Sequence, residues 1–590
     1  MKNLFLLLVL VGIHSQLAAQ ASMDRDKPEV AIQFYQKIPM RDGISLAANV
    51  FRPAEQTAPL PVILIITPYI MDENHDRGMF FARNGYVFVT VDCRGRGSSE
   101  GNFVPFANDG EDGHDVVSWI GQQPWCNGQV GMLGGSYRGM NQWLTLKEFP
   151  AALKTIIPIA SVGPGLDFPK YNNIFYPYML RWLMFTDGRA LNEKLFGADF
   201  WEVKKKELYE NHIPFMKYDS LVGFPHAVFQ NWLSHPAHDE FWQGILLDKE
   251  DYAKIDIPIL TITGHFDGDQ IGAMHYYQQH MIHGNSAVKQ KHYFISGPWS
   301  HGGTRRPAAA LFGLEFGENA VLDMNQLYLD WFDWTLKKQE KPALLKDRVM
   351  YYVMGDNQWK YAPEMETLSN ELMPLFLSSV KSDAKDVFHS GDLLNEPQKS
   401  DTAPDVIRYD PLSNAATRHV HYDQVYSNTF FVDQAYISQE NLLFYHSAPL
   451  SEALEVTGKI SFEAYLSINV PDVDFEVRMD EITPKGESIY LQSDILRARY
   501  RLGLEKEVPV PAGKVLRYTF SGRDFFSRKL QKGSRIRLTF GPLDSIGRQK
   551  NYLSGKDVAQ ETAADAQVAE IKLYHNKKYP SAIYIPITSK

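Results

Sequence analysis

Six stretches of the chain are apolar with little interruption, and helical patterns lie between several of them. The first is Leu60 to Tyr69, "LPVILIITPY". Next comes "GYVFVTVDCRGRGSSEG", which runs into a glycine-rich loop. "GQVGMLGGSYRG", "LKTIIPIAS", "IPILTITGHFD" and "KHYFISGPWSHG" complete the set. A continuous apolar run marks a strand buried on both faces. Such strands separated by helices predict a mostly parallel sheet with right-handed crossovers. Upstream, "AIQFYQKIPM" and "SLAANVFRP" alternate on either side of the turn signal Arg41-Asp42-Gly43, and predict two further strands.

Two regions break this rhythm. Residues 164–251 are rich in aromatics and helix formers, as in "FYPYMLRWLMF" and "FWEVKKKELYENH". They read as a helical insertion that would sit over the carboxyl ends of the strands, where ligands bind in such folds. From Lys341 onward the period falls to two, as in "VTGKISFEAYLSINV" and "SRIRLTFGP", which predicts an all-β sandwich or jelly roll. The expectation is an α/β domain over 29–163 and 252–340, a helical cap over 164–251 and a jelly-roll domain over 341–590. A length of 590 residues agrees with more than one core.

The first residues read as an address rather than as part of the fold. Lys2, the apolar run Leu4 to Ile13 and Ala19-Gln20-Ala21 have the layout of a secretory signal peptide over residues 1–21. The expected location is therefore periplasmic or secreted, with no membrane association after cleavage. The net charge of −10, without a basic block, argues against nucleic acid as a partner. Cys93 and Cys126 are the only cysteines, so a disulfide framework is excluded. Their pairing and the oligomeric state, a homo-oligomer included, stay open.

Gly134-Gly135-Ser136-Tyr137-Arg138-Gly139 follows a strand pattern and precedes a helical one. A serine on a sharp strand-to-helix turn is held exposed above the sheet, and small neighbours relieve the crowding. The glycine here comes one position later than in the generic elbow. Such a serine needs an acid and then a histidine from later strand ends. Asp267 follows "PILTITGHF" and His301 follows "HYFISGPWS", both just past predicted strands. The hydroxyl is a poor nucleophile until a neutral imidazole takes its proton, and a carboxylate must hold that imidazole in the right tautomer. Asp269 is the alternative acid, and His265 either lines the site or packs. For the oxyanion, the Tyr137 N–H is one candidate donor; Tyr69 is another, or else a rim aromatic. No histidine spacing suggests a metal, and the chemistry needs no cofactor. Asp92 to Gly97 reads as a structural turn, and Asp474, Asp480 and Glu481 as a solvated face.

The sequence resembles the CocE/NonD family of hydrolases. The matching segments are "TPY" at Thr67 to Tyr69, "DCRGRGSSEG" at Asp92 to Gly101 and "QPWCNGQVGMLGGSYRG" at Gln123 to Gly139. "TGHFDGD" at Thr263 to Asp269, "GPWSHGG" at Gly297 to Gly303, "YYVMGDNQW" at Tyr351 to Trp359 and "ILRARYR" at Ile495 to Arg501 continue the match. The family's elbow is G-x-S-Y-x-G, which accounts for the displaced glycine. The resemblance implies an α/β-hydrolase domain with a helical cap and a C-terminal jelly roll, a Ser136–Asp267–His301 triad, and Tyr69 as the second oxyanion donor. It implies small-molecule ester, amide or short-peptide substrates. Its amino-acid ester hydrolases hold the substrate ammonium with three carboxylates. The corresponding places here hold Asp269, Gln270 and Lys170, with Asp167 near the last. On that alignment Lys170 favours an acyl group bearing a carboxylate, and Trp299 joins Asp269 and Lys170 as a substrate-binding candidate. The rival readings are an X-Pro dipeptidyl-peptidase and, from another class, a non-catalytic carbohydrate-binding protein.

Overall fold

The apolar runs fold as the strands they predict. A computed structural model of the protein describes residues 28–414 and 441–588. The expected signal peptide lies outside the described residues. Strands β1 (Val30–Pro39), β2 (Ser45–Pro53), β3 (Leu60–Thr67), β4 (Val87–Asp92), β5 (Cys126–Gly135) and β6 (Leu153–Ile159) come first. After the short hairpin β7 (Lys170–Tyr171) and β8 (Ile174–Phe175) follow β9 (Ile259–Phe266) and β10 (His292–Ser300). The hairpin β11 (Ala310–Leu311) and β12 (Leu314–Glu315) then precede β13 (Val349–Val353) and β14 (Gln358–Ala362). Ten of these form one sheet in the order β1-β2-β4-β3-β5-β6-β9-β10-β13-β14. The strands from β4 to β13 pair in parallel, and β1, β2 and β14 close the edges antiparallel. Every residue of β4 is buried, as its unbroken apolar character requires.

Seven helices from Tyr178–Phe185 to Lys249–Lys254 fill the interval between β8 and β9. They pack Trp182, Trp201, Trp232 and Trp242 into the same core as the sheet. Thirteen strands from Glu371–Ser378 to Ala582–Ile587 make a separate all-β unit with its own apolar interior.

The sheet extends beyond the expected boundary at residue 341. β13 is a fully buried run, "VMYYV", that pairs in parallel with β10, and β14 folds back on it. These strands belong to the first sheet because β10 would otherwise expose a hydrogen-bonding edge. They also carry the second unit, since Met354 exchanges backbone hydrogen bonds with Ser527 and Lys529. Cys93 and Cys126 are buried and unpaired. Among the described residues no helix is long and apolar enough to cross a membrane.

Candidate active site

Ser136 stands between β5 and the helix Tyr137–Lys147 with φ 64° and ψ −128°, a backbone conformation that non-glycine residues rarely adopt. Its N–H donates to Ile159 O at 2.9 Å, anchoring the turn to β6. The glycines around it are spatial necessities. A Cβ on Gly134 would lie 2.5 Å from Arg138 Cβ, and one on Gly139 would lie 2.8 Å from Ile159 O. The displaced glycine is thus required where the helix crosses the end of β6.

Asp267 and His301 follow β9 and β10 directly. His301 Nδ1 lies 2.8 Å from Asp267 Oδ1 and 3.5 Å from Asp269 Oδ2. Geometry therefore favours Asp267 as the partner of the imidazole. Asp267 also accepts from Thr263 Oγ1 at 2.8 Å and from the Asp269 N–H at 3.1 Å. Burial opposes its charge, but the hydrogen bond and charge of His301 hold its carboxyl below the usual range. Burial likewise disfavours the imidazolium, yet Asp269 and Asp267 outweigh it and raise the His301 pKa. The Ser136 hydroxyl donates to Asp269 Oδ2 at 3.4 Å and makes no hydrogen bond to His301. Catalytic contacts of this kind are commonly loose without substrate.

Tyr69 follows β3, and its hydroxyl accepts from Trp182 Nε1 at 3.1 Å. Burial raises its pKa, and a hydrogen bond with Ser136 acts in the opposite sense. The phenol thus stays protonated beside the serine. The Tyr137 side chain points away, donating to Asp109 Oδ2 at 2.6 Å. Its backbone N–H opens the helix and so has no partner within it. The turn Asp92 to Gly97 braces this corner: Arg96 donates to Pro68 O at 2.8 Å and to Gly188 O and Ala190 O in the helical insertion.

A cavity of about 1360 Å³ opens over Ser136, His301, Tyr69 and Asp269. Tyr176, Tyr178, Trp182 and Phe185 from the helical insertion and Arg523, Asp544 and Arg548 from the all-β unit also line it. Asp167 lines it too, buried, with its carboxylate accepting from the N–H groups of Gly163 at 2.8 Å and Gly272 at 2.6 Å. Burial and then the charge of Asp269 push the Asp167 pKa well up. Asp269 is raised by burial, with Asp267 adding to the effect.

Two expected substrate contacts fall elsewhere. Lys170 lies outside the cavity lining, and its ammonium donates to the carbonyls of His235, Pro236 and Ala237 at 3.0, 2.9 and 2.5 Å. All three of its donors are taken, so it has none for an acyl carboxylate. Trp299 is also core: it is 2% exposed and donates to Ala320 O at 3.0 Å. Gln270 bonds in both directions with Phe525, donating to its carbonyl at 2.8 Å and accepting from its N–H at 2.6 Å. A carboxylate there would lose the donor, which explains why an amide replaces it. His265 is buried and packs against Phe525. Arg138 reaches the cavity from the elbow helix itself, whereas Arg305, Arg523 and Arg548 come from distant parts of the chain without any signal in the linear pattern.

Known proteins resemble the chain in both of its parts. The X-Pro dipeptidyl-peptidase (S15 family) matches residues 42–303, and the X-Pro dipeptidyl-peptidase C-terminal non-catalytic domain matches residues 345–540. A cocaine esterase of Rhodococcus sp. (strain MB1 Bresler) is 26% identical, over 94% of this chain and 98% of its own length. An aminopeptidase from the marine sediment archaeon Thaumarchaeota archaeon has the same fold, with a TM-score of 0.83 at 22% identity, covering 96% of this chain and 97% of that one. An α-amino acid ester hydrolase superposes with a TM-score of 0.80 at 20% identity, covering 95% of this chain and 97% of that one. With both matching domains in order and full-length similarity to an esterase, the chain belongs to the CocE/NonD family of serine hydrolases, which act on ester and amide bonds.

Proposed function

We propose that the protein hydrolyses α-aminoacyl esters or amides through an acyl-enzyme on Ser136. His301 takes the serine proton, Asp267 holds the imidazole, and the Tyr69 hydroxyl and Tyr137 N–H receive the oxyanion. The 2.8 Å bond between His301 and Asp267 beneath the strained elbow supports these roles. His301 then returns the proton to the leaving group, and water repeats the sequence to release the acid.

The observation that carries the substrate class is the carboxylate pair Asp167 and Asp269, both facing the cavity. Asp269 lies 3.4 Å from the attacking oxygen, and an α-ammonium is two bonds from the carbon under attack. The charge of half-buried Asp269 disfavours ionisation of buried Asp167, and a substrate cation would relieve that cost. Initial rates on an α-amino acid ester, its deaminated analogue and a glutaryl amide, with Ser136→Ala as control, test the reading. The amino ester should lead, and Asp269→Asn should raise its KM more than that of the analogue. A lead for the glutaryl amide would reject it.

A second reading, an X-Pro dipeptidyl-peptidase, is favoured by the S15 match. There the same carboxylates would take an N-terminal ammonium one residue farther from the scissile bond. Faster cleavage of an X-Pro anilide than of an aminoacyl anilide would select it. The division into a catalytic domain, a helical cap over 164–251 and a jelly roll is part of the proposal, with the first sheet carried to Ala362. Export by a signal peptide over residues 1–21 is proposed from its layout, with a periplasmic or secreted product; N-terminal sequencing of protein recovered outside the cytoplasm checks it.

A further inference from the structure

Beside the elbow stand three arginines around one carboxylate. Arg138 pairs with Glu73 at 2.5 Å, and its guanidinium lies 5.5 Å over the Tyr69 ring. Arg305 packs its guanidinium on Gly135, so closely that a Cβ there would lie 2.4 Å from Nη1. That Nη1 is buried with no hydrogen-bond partner, and no ion pair reaches Arg305 among the described residues. Arg77 stands behind them. Burial lowers the pKa of both Arg77 and Arg305, and the neighbouring arginines lower it further. Arg138 and Arg305 line the cavity together with Ser136 and His301. Glu73, which also lines the cavity, is the one carboxylate set against these three guanidiniums, and such an excess of positive charge in a cavity wall is costly to fold unless a further anion completes it.

We infer that Arg305 and Arg138 receive a carboxylate on the leaving half of the substrate, so that the preferred leaving group is an amino acid with a free carboxylate. The inference rests on the Ser136 acyl-enzyme proposed above. The side follows from proton transfer. The leaving nitrogen must depart within reach of His301, which protonates it. Arg305 is four residues further along the same loop, and its charge acts on the His301 imidazole. An amino-acid leaving group carries its carboxylate two bonds from that nitrogen. In the chemical step Ser136 Oγ bonds the acyl carbon, the C–N bond breaks, and the proton from Ser136 passes through His301 to the nitrogen. Arg305 touches only the departing product. Asp167 and Asp269 at one end and the arginines at the other would then fit a short peptide with both termini free.

The test is the rate at which a fluorophosphonate labels Ser136 in the presence of alanylglycine, alanylglycinamide or a glutaryl amide. Alanylglycine should protect at concentrations about tenfold or more below those of the neutral glycinamide, as a charge-assisted contact predicts. Arg305→Gln and, separately, Arg138→Gln should bring the two ligands together. Equal protection by both ligands in the wild type, or protection by neither, would overturn the inference and leave the nucleophile assignment standing. Stronger protection by the glutaryl amide than by alanylglycine would move the arginines to the acyl half and overturn it too. Failure of Ser136 to label without any ligand would instead reject the acyl-enzyme reading beneath. Should either variant fail to fold, the wild-type comparison between the two peptides decides alone.

Discussion

The all-β unit and the cavity wall both bury arginines and aspartates, and they treat them in opposite ways. In the all-β unit Arg497 donates to both oxygens of Asp474, at 2.8 and 2.9 Å, and to Asn173 O at 3.0 Å. Glu481 pairs with Arg528 at 2.7 Å, and Asp480 with Arg478 at 2.7 Å. Around Ser136, by contrast, Arg305 Nη1 has no hydrogen-bond partner among the described residues, and Asp269 lines the cavity beside the serine. A charge whose lone pairs and protons are all engaged maintains a packing arrangement, since its desolvation is offset where it sits. A charge held against a cavity with donors left over is stabilised by the surrounding fold and is free to meet a ligand. Residue types are the same in the two places; the fully buried charges of the all-β unit have their atoms satisfied, whereas the half-buried ones at the cavity do not.

Four measurements would sharpen or break that contrast. The largest effect belongs to Ser136→Ala, which should lower kcat by about 10⁴-fold or more on any hydrolysed ester, read against enzyme of unchanged melting temperature. Next, Arg497→Met should cost about 3–5 kcal/mol in urea unfolding, because Asp474 is left buried without its cation. Arg305→Gln, which breaks no bond, should stay within about 1 kcal/mol of the wild type. Equal losses in the two variants would end the comparison. Tyr69→Phe should lower kcat by roughly 10²–10³-fold with little change in KM, as loss of one oxyanion donor does. The smallest effect is a shift of pH profile. The base must be neutral, so kcat/KM rises with pH through the His301 pKa, which its acidic neighbours hold above the ordinary value. Asp269→Asn removes the largest of those raising influences, so the acid limb for a deaminated ester should move to lower pH. A limb that stays in place would mean that Asp269 does not act on the imidazole.

Much of the fold and the proposed triad was legible in the chain. The buried strands announced themselves as unbroken apolar runs, and chain order put Asp267 and His301 at the ends of β9 and β10. Three readings went wrong for one shared reason. Lys170 and Trp299 stand near motif positions, but spacing does not say which way a side chain points. Lys170 turns to three carbonyls and Trp299 to the core. Asp474, Asp480 and Glu481 looked like a solvated face, yet they are 3%, 2% and 0% exposed, since cations from the same strand, the adjacent strand and the more distant strand Phe526–Leu530 cover them.

What the sequence determined by itself was local: strand or helix, the strained turn at Ser136, the glycine demanded at position 139 and the order of the acid and the histidine. Hydrophobic period and backbone sterics act over a few residues, so a few residues suffice to read them. The tertiary structure alone decided which loops meet over the serine. Asp167 follows β6, Asp269 follows β9, Arg305 follows β10 and Arg523 comes from a different unit altogether, yet one cavity joins them. Electrostatic partnership depends on distance in space and on which atoms remain unsatisfied after packing. Neither quantity exists until the chain has folded.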